Sequence, residues 1–341
     1  MKRPFTTYTL ALFLLILAAC QNAETQPTAV QTVQPAATDT AEATAPEPTF
    51  QPPPTIEVSP TAESTPMVES VAFDGESAYD YLLAQMDFGA RWPGSPGHAE
   101  LGDYIAEQLS GLNWEVQEQL FPYQDITGRN IIGKANIGAG PVIILGAHYD
   151  TRKVADQTPG NDGPDPAPVP GANDGASGVA VLLELARTLD LDKIDHEIWL
   201  AFFDVEDNGN NGIPGFDWII GSTYMAENLT IEPEAMVLAD MIGDADQQLY
   251  LEQNSDAELQ TTIWEIAAEL GYASNFIQDY KYTMIDDHLP FARQGIPSVD
   301  IIDFDYPYWH TVEDTANKVS PDSLLRVGRT LEVWLEMDID G

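Results

Sequence analysis

Five short segments each bring a histidine or a carboxylate to the end of an apolar run: Gly146-Ala147-His148-Tyr149-Asp150, Ala172-Asn173-Asp174-Gly175, Phe203-Asp204-Val205-Glu206-Asp207, Leu238-Ala239-Asp240 and Tyr308-Trp309-His310-Thr311. Imidazole nitrogen and carboxylate oxygen are the donors that hold divalent metal ions. Any one of these residues alone has an ordinary explanation. A strand-end aspartate is more often a helix cap or a turn residue, and a single histidine such as His148 is more often structural. Chemistry requires a scaffold that brings several strand ends to one rim, as open α/β sheets do.

The hydropathy pattern supplies such a scaffold. Apolar runs at 142–145, 198–203, 236–239 and 298–302 predict buried strands, and amphipathic spacing at 101–112, 178–189, 257–270 and 321–335 predicts helices. Their alternation predicts an α/β fold, a single domain with a mostly parallel central sheet flanked by helices. No internal repeat is visible.

The remaining segments set the context. Residues 1–19 combine Lys2 and Arg3 with an apolar run over 10–17, too short to span a bilayer, and read as a signal peptide. Leu17-Ala18-Ala19-Cys20 resembles the bacterial lipobox, which implies that Cys20 is lipidated and that the protein is extracytoplasmic, anchored to the cell envelope by that lipid alone. Residues 20–68, rich in Thr, Pro, Ala and Glu, bury too little apolar surface to fold and read as a tether. This leaves 69–341 as the catalytic domain. Cys20 is the sole cysteine, so no disulfide within the chain is available. The formal charge of −41, which loss of Lys2 and Arg3 makes more negative still, argues against a nucleic-acid partner.

Together the five segments resemble the zinc aminopeptidase and glutaminyl cyclase superfamily, metallopeptidase family twenty-eight. The likeness includes Arg91-Trp92-Pro93-Gly94-Ser95-Pro96-Gly97, Gly221-Ser222, and Asp286-Asp287-His288-Leu289-Pro290-Phe291 followed by Gly295-Ile296-Pro297, and it covers residues 79–335. It implies a zinc aminopeptidase-like phosphorylase/hydrolase fold. Asp174, Asp207 and His310 match the ligands of the single zinc of the cyclases. His148 and Asp240, with Asp174 as a bridge, complete the two-zinc site of the aminopeptidases. Glu206 is implied as the general acid/base beside the metal. The acidic pair departs from the family's Glu-Glu, because Asp207 is one methylene shorter. The Pro-, Gly- and Asp-rich loop over 152–171 reads as a solvated insertion rather than a pocket wall. His98 and His196 match no ligand position and read as structural.

Two reactions stay open. Asp286-Asp287-His288 in place of Ser-Asp-His, and Trp309 before the final ligand, resemble the cyclases. There the residues matching Asp240 and Asp286 lie close to the acid/base glutamate and hydrogen-bond with it, and the tryptophan lines the pocket. Glu313-Asp314-Thr315 resembles the aminopeptidases. The preferred reading is a glutaminyl-peptide cyclotransferase with one zinc, converting glutamine at peptide N-termini to pyroglutamate. The alternative is an aminopeptidase with two zinc ions, hydrolysing the first peptide bond. A third reading, a lipoprotein that only binds, conflicts with the presence of Glu206 beside every ligand position.

Overall fold

The computed structural model describes residues 73–163 and 166–337. The expected signal, Cys20 and the tether over 20–68 lie outside the described residues. In chain order the elements are helices α1 (Gly75–Met86) and α2 (Pro96–Gly111), strands β1 (Glu115–Tyr123), β2 (Ile126–Ala135) and β3 (Val142–His148), helix α3 (Ala176–Thr188), β4 (Glu197–Phe203), α4 (Ile220–Glu227), β5 (Ala235–Asp240), β6 (Leu249–Glu252), α5 (Ala257–Glu269), β7 (Phe276–Tyr282), α6 (Leu289–Arg293), β8 (Ser298–Ile302) and α7 (Pro321–Glu336). Among the described residues no helix is long and apolar enough to cross a membrane.

The main sheet has the order β1-β2-β4-β3-β5-β8. Strands β4, β3, β5 and β8 are mutually parallel, whereas β1 and β2 join as an antiparallel hairpin at one edge. Parallel strands are covered on both faces and therefore read as continuous apolar runs, as β3 does with all seven residues buried. On β4, Ile198, Leu200 and Phe202 enter the core under α1, α2, α3, α5 and α7, while Trp199, Ala201 and Phe203 enter a second core under α4 and α6.

All eight expected elements are present within a few residues of their expected bounds, and the mostly parallel sheet is as expected. Helix α1, the hairpin and the elements β6, β7, α4 and α6 were not expected from the sequence. Strand β1, Glu115–Tyr123, is polar and largely exposed and holds Pro122, which is tolerated because β1 lies at the sheet edge. Several helix starts carry local signals: Ser95 and Ser320 accept hydrogen bonds from the N–H groups of His98 and Asp322, each just ahead of a proline in the first turn.

Close packing aims the sheet at one rim. A Cβ on Gly178 of α3 would lie 2.1 Å from the Ala239 carbonyl oxygen, so only glycine lets this helix seat against the end of β5. His148, Asp240 and the segment 204–207 consequently leave the carboxyl ends of β3, β5 and β4 side by side, with Asp174 arriving from the turn before α3.

Candidate active site

Asp174 stands between two histidines. One of its oxygens is 3.3 Å from His148 Nε2 and the other 3.7 Å from His310 Nε2. His148 Nε2 lies 3.1 Å from Asp240, and His310 Nε2 lies 2.8 Å from Asp207. Two triads result, His148–Asp174–Asp240 and Asp174–Asp207–His310, with the donor atoms of each within 4.8 Å of one another. One oxygen of Asp174 and one of Asp207 are buried without a hydrogen-bond partner. Buried carboxylate oxygens without donors are costly, and a divalent cation among these hard oxygens and imidazoles removes that cost; the donor set fits zinc.

Strain concentrates here. Val205, Met241 and His310 have φ of +58°, +46° and +55°, a region that side-chain-bearing residues rarely adopt. Each such residue costs about 1–3 kcal/mol and persists only where its surroundings over-determine it. For Val205 the surroundings are explicit. The Asp150 carboxylate accepts hydrogen bonds from the Glu206 and Asp207 N–H groups and from the Asn208 amide, while the carbonyls of Asp204, Val205 and Glu206 accept from Gly221, Ile220 and Ile219. The turn bearing Asp174 is held likewise: Asp314 accepts from the N–H groups of Asn173 and Asp174 and from the Tyr306 hydroxyl. The buried guanidinium of Arg91 donates to the Pro170 and Gly171 carbonyls, which gives the motif beginning at Arg91 a positioning role.

The loop over 152–171 departs in part from the expectation: none of its described residues lines the cavity at the triads and 157, 159, 160, 162 and 163 are exposed, but Arg152 and Asp156 support the site. Arg152 is buried and donates to the carbonyls of Asp207 and Gly209 and to the Asp156 carboxylate. Asp156 in turn lies 3.3 Å from His310 Nδ1, leaving Nε2 to face Asp207 and Asp174. Such a carboxylate behind a ligand-type histidine sets its orientation and tautomer. Burial alone would raise Asp156, but hydrogen bonds from His310 and Arg152 hold it well below the usual carboxylate range. A loop of Pro, Gly and Asp carries no period in sequence, and its docking depends on a guanidinium that reaches across to residues 207–209.

The other candidates fall into place around this centre. Glu206 lines a cavity of about 180 Å³ together with Asp174, Asp207, Asp240, Asp286 and His310. Burial raises Glu206 well above the usual carboxylate range; His148 opposes this, and Asp207, Asp286 and Asp287 add to it. Asp287 accepts from the Ser222 hydroxyl and is raised to about 7, chiefly by burial. His288 is buried, 3.4 Å from Glu252 and 3.7 Å from Asp300, supporting the segment that presents Asp286. Trp309 stacks on His310 with ring centroids 3.7 Å apart, and Trp218, which sequence reasoning missed, lies parallel to the same imidazole at 6.0 Å. His98 and His196 lie outside the site. His98 hydrogen-bonds Asp204 at 2.7 Å, and His196 pairs with Asp195 and Glu234.

Residues 130–335 match the family model described as Peptidase family M28. The chain belongs to peptidase family M28. It is 28% identical to a glutaminyl-peptide cyclotransferase of Boiga irregularis over 72% of this chain and 76% of the relative. Among solved structures, a Porphyromonas gingivalis glutaminyl cyclase superposes with a TM-score of 0.70 and 34% identity, covering 77% of this chain and 98% of that one. A leucine aminopeptidase precursor from Bacteroides thetaiotaomicron superposes with a TM-score of 0.73 and 33% identity, covering 78% and 98%. Within this M28 chain the matched span contains every segment that contributes a donor to the two triads.

Proposed function

We propose that the chain is a zinc-dependent glutaminyl-peptide cyclotransferase acting on peptide N-termini outside the cytoplasm. The observation that carries this reading is the small cavity in which Glu206, raised by burial, shares space with Asp286 and with two indoles flanking His310. Similarity to named cyclases supports it. Asp174, Asp207 and His310 would hold the zinc, which supplies Lewis-acid polarisation of the glutamine side-chain carbonyl. The indoles of Trp309 and Trp218 bound the pocket and exclude water, orienting the glutamine so that its own α-amine faces that carbonyl. Glu206 as carboxylate takes a proton from the amine while the carbon–nitrogen bond of the ring forms. It returns that proton to the side-chain nitrogen, whose bond to the carbonyl carbon breaks to release ammonia. A carboxyl whose hold on a proton is strengthened by burial suits both halves of that transfer.

The proposed cyclase carries one zinc, at Asp174, Asp207 and His310, and leaves His148 without a metal. With Nδ1 donating to the Asp150 carbonyl at 3.1 Å, Nε2 faces the carboxylates of Asp240 and Asp174 and requires a proton or a cation. Burial disfavours the charged imidazole, yet Asp240 and its neighbours raise His148 well above its ordinary value. Asp240 and Asp174 together with this imidazole are also the donors that a second zinc would use, so metal analysis of the purified chain, with one zinc expected, tests the count. The alternative, hydrolysis by a two-zinc aminopeptidase, is favoured by the likeness to the leucine aminopeptidase precursor.

The deciding assay is incubation with a peptide beginning in glutamine and one beginning in leucine. The first should lose about 17 Da as ammonia leaves on ring closure, and the second should remain intact. Free leucine, with the glutamine peptide uncyclised, overturns cyclisation in favour of hydrolysis. The domain spanning 69–341 is proposed to stand off the envelope on the tether, anchored by lipidated Cys20. Cys20→Ala should shift the protein out of the membrane fraction, and an unchanged distribution refutes the anchor.

A further inference from the structure

The sheet has a second concavity at its opposite end. Where β3, β5 and β8 begin, Ile143, Ala235, Ile266 and Trp334 line a cavity of about 580 Å³, larger than the one at the metal triads. The six residues of β5 separate the two ends by about 17 Å at ordinary strand rise. The volume lies within the range of small-molecule sites, which combine apolar walls with a few polar groups.

The polar groups here are all of one sign. Glu234, Asp256 and Glu258 line the cavity, and no lysine or arginine does among the described residues. Their engagements differ. Asp256 caps α5 by accepting from the Glu258 and Leu259 N–H groups, and Glu234 meets His196 at 3.2 Å. The Glu258 carboxylate makes no hydrogen bond or ion pair among the described residues. The indole N–H of Trp334 makes no hydrogen bond among the described residues and reaches solvent. An aromatic face beside carboxylates favours a cation with an apolar body. An anion is repelled by the three carboxylates.

We propose that this cavity binds a small organic ammonium compound. Its aromatic or aliphatic body lies against Ile143, Ala235 and Trp334, and its ammonium faces Glu234 and Glu258. This site is independent of the cyclisation reading.

Titration calorimetry of the full chain with tryptamine, and with indole-3-propionate as an anion of similar shape, tests it. Tryptamine should bind at one site, and the anion should bind at least about tenfold more weakly. The double variant Glu234→Gln with Glu258→Gln should weaken tryptamine about tenfold while leaving turnover unchanged. Thr262 also lines the cavity, so Thr262→Trp, which fills the space, should abolish binding. Glu206→Gln should leave tryptamine affinity as it is, because the metal end is not involved. Absence of tryptamine binding, equal affinity for the anion, unaltered affinity in both cavity variants, or loss of binding on Glu206→Gln each overturns the proposal.

Discussion

The two ends of the central sheet are built from the same strands and differ in almost every physical respect. At the carboxyl ends, Asp174, Glu206, Asp207, Asp240, Asp286 and Asp287 are buried together, two carboxylate oxygens of the triads lack partners, and three residues hold positive φ. At the amino ends the walls are apolar, a helix starts on an ordinary aspartate cap, and the carboxylates lie at the water's edge. Stability is therefore spent at one end, where charge is gathered for chemistry, and is supplied by the cores between the ends.

Glu206→Gln should give the largest effect. It keeps the side chain's shape and removes its proton transfer, so kcat should fall about 10²–10⁴-fold while zinc content, read by metal analysis, is unchanged. Near-parent turnover would remove Glu206 from the role proposed for it.

Chelation should expose the cost of the crowded end. In the metal-free chain burial raises Asp207 to about 6 and Asp287 and Asp314 to about 7. Each binds its proton more tightly when folded than when unfolded, where the value is about 4. Their stabilising contribution is thus complete below about pH 4 and is lost as pH rises through 6 to 7. Urea unfolding of chelated protein should show stability falling between pH 5 and 8 by on the order of a few kcal/mol, and zinc should flatten that slope by favouring the ionised form of its ligands. A chelated protein whose stability rises over that range contradicts the assignment.

Asp156→Asn should weaken zinc binding about 10–100-fold, because the neutral amide accepts the Nδ1–H of His310 less strongly and so fixes the ring and its tautomer less well. Competition with a metal indicator measures this, and unaltered affinity would return the loop to a passive role. Smallest of all should be Glu258→Gln at the opposite end, within about 0.5 kcal/mol in stability and without effect on turnover. A large loss there would show that the two ends are not separable.

Much of the site was legible in the sequence, and the reason is local. His148, Asp207, Asp240 and Asp174 each follow an apolar run or precede a helix, so period and punctuation alone place them at strand ends or at a turn. Trp309 and His310 were found by likeness of motif. The buried strands announced themselves because burial on both faces demands unbroken apolar residues, as in β3. The hairpin of β1 and β2 did not, since its polar edge strand owes its form to pairing with β2 rather than to its own residues.

What the tertiary structure decided is which groups stand behind the ligand-type residues. That Asp314 holds the Asp174 turn, that Asp150 fixes the strained Glu206-Asp207 corner, and that Asp156 turns His310 are contacts between segments far apart in the chain. No local pattern distinguishes those aspartates from the many that face water; only the fold, by burying them beside N–H groups and imidazoles, does so. The sequence by itself determined a family, a sheet and a set of donors at strand ends. Two groups of ligands sharing Asp174 were already implied by the family likeness; the carboxylates behind them and the apolar cavity at the far end arise from long-range packing, which periodicity cannot encode.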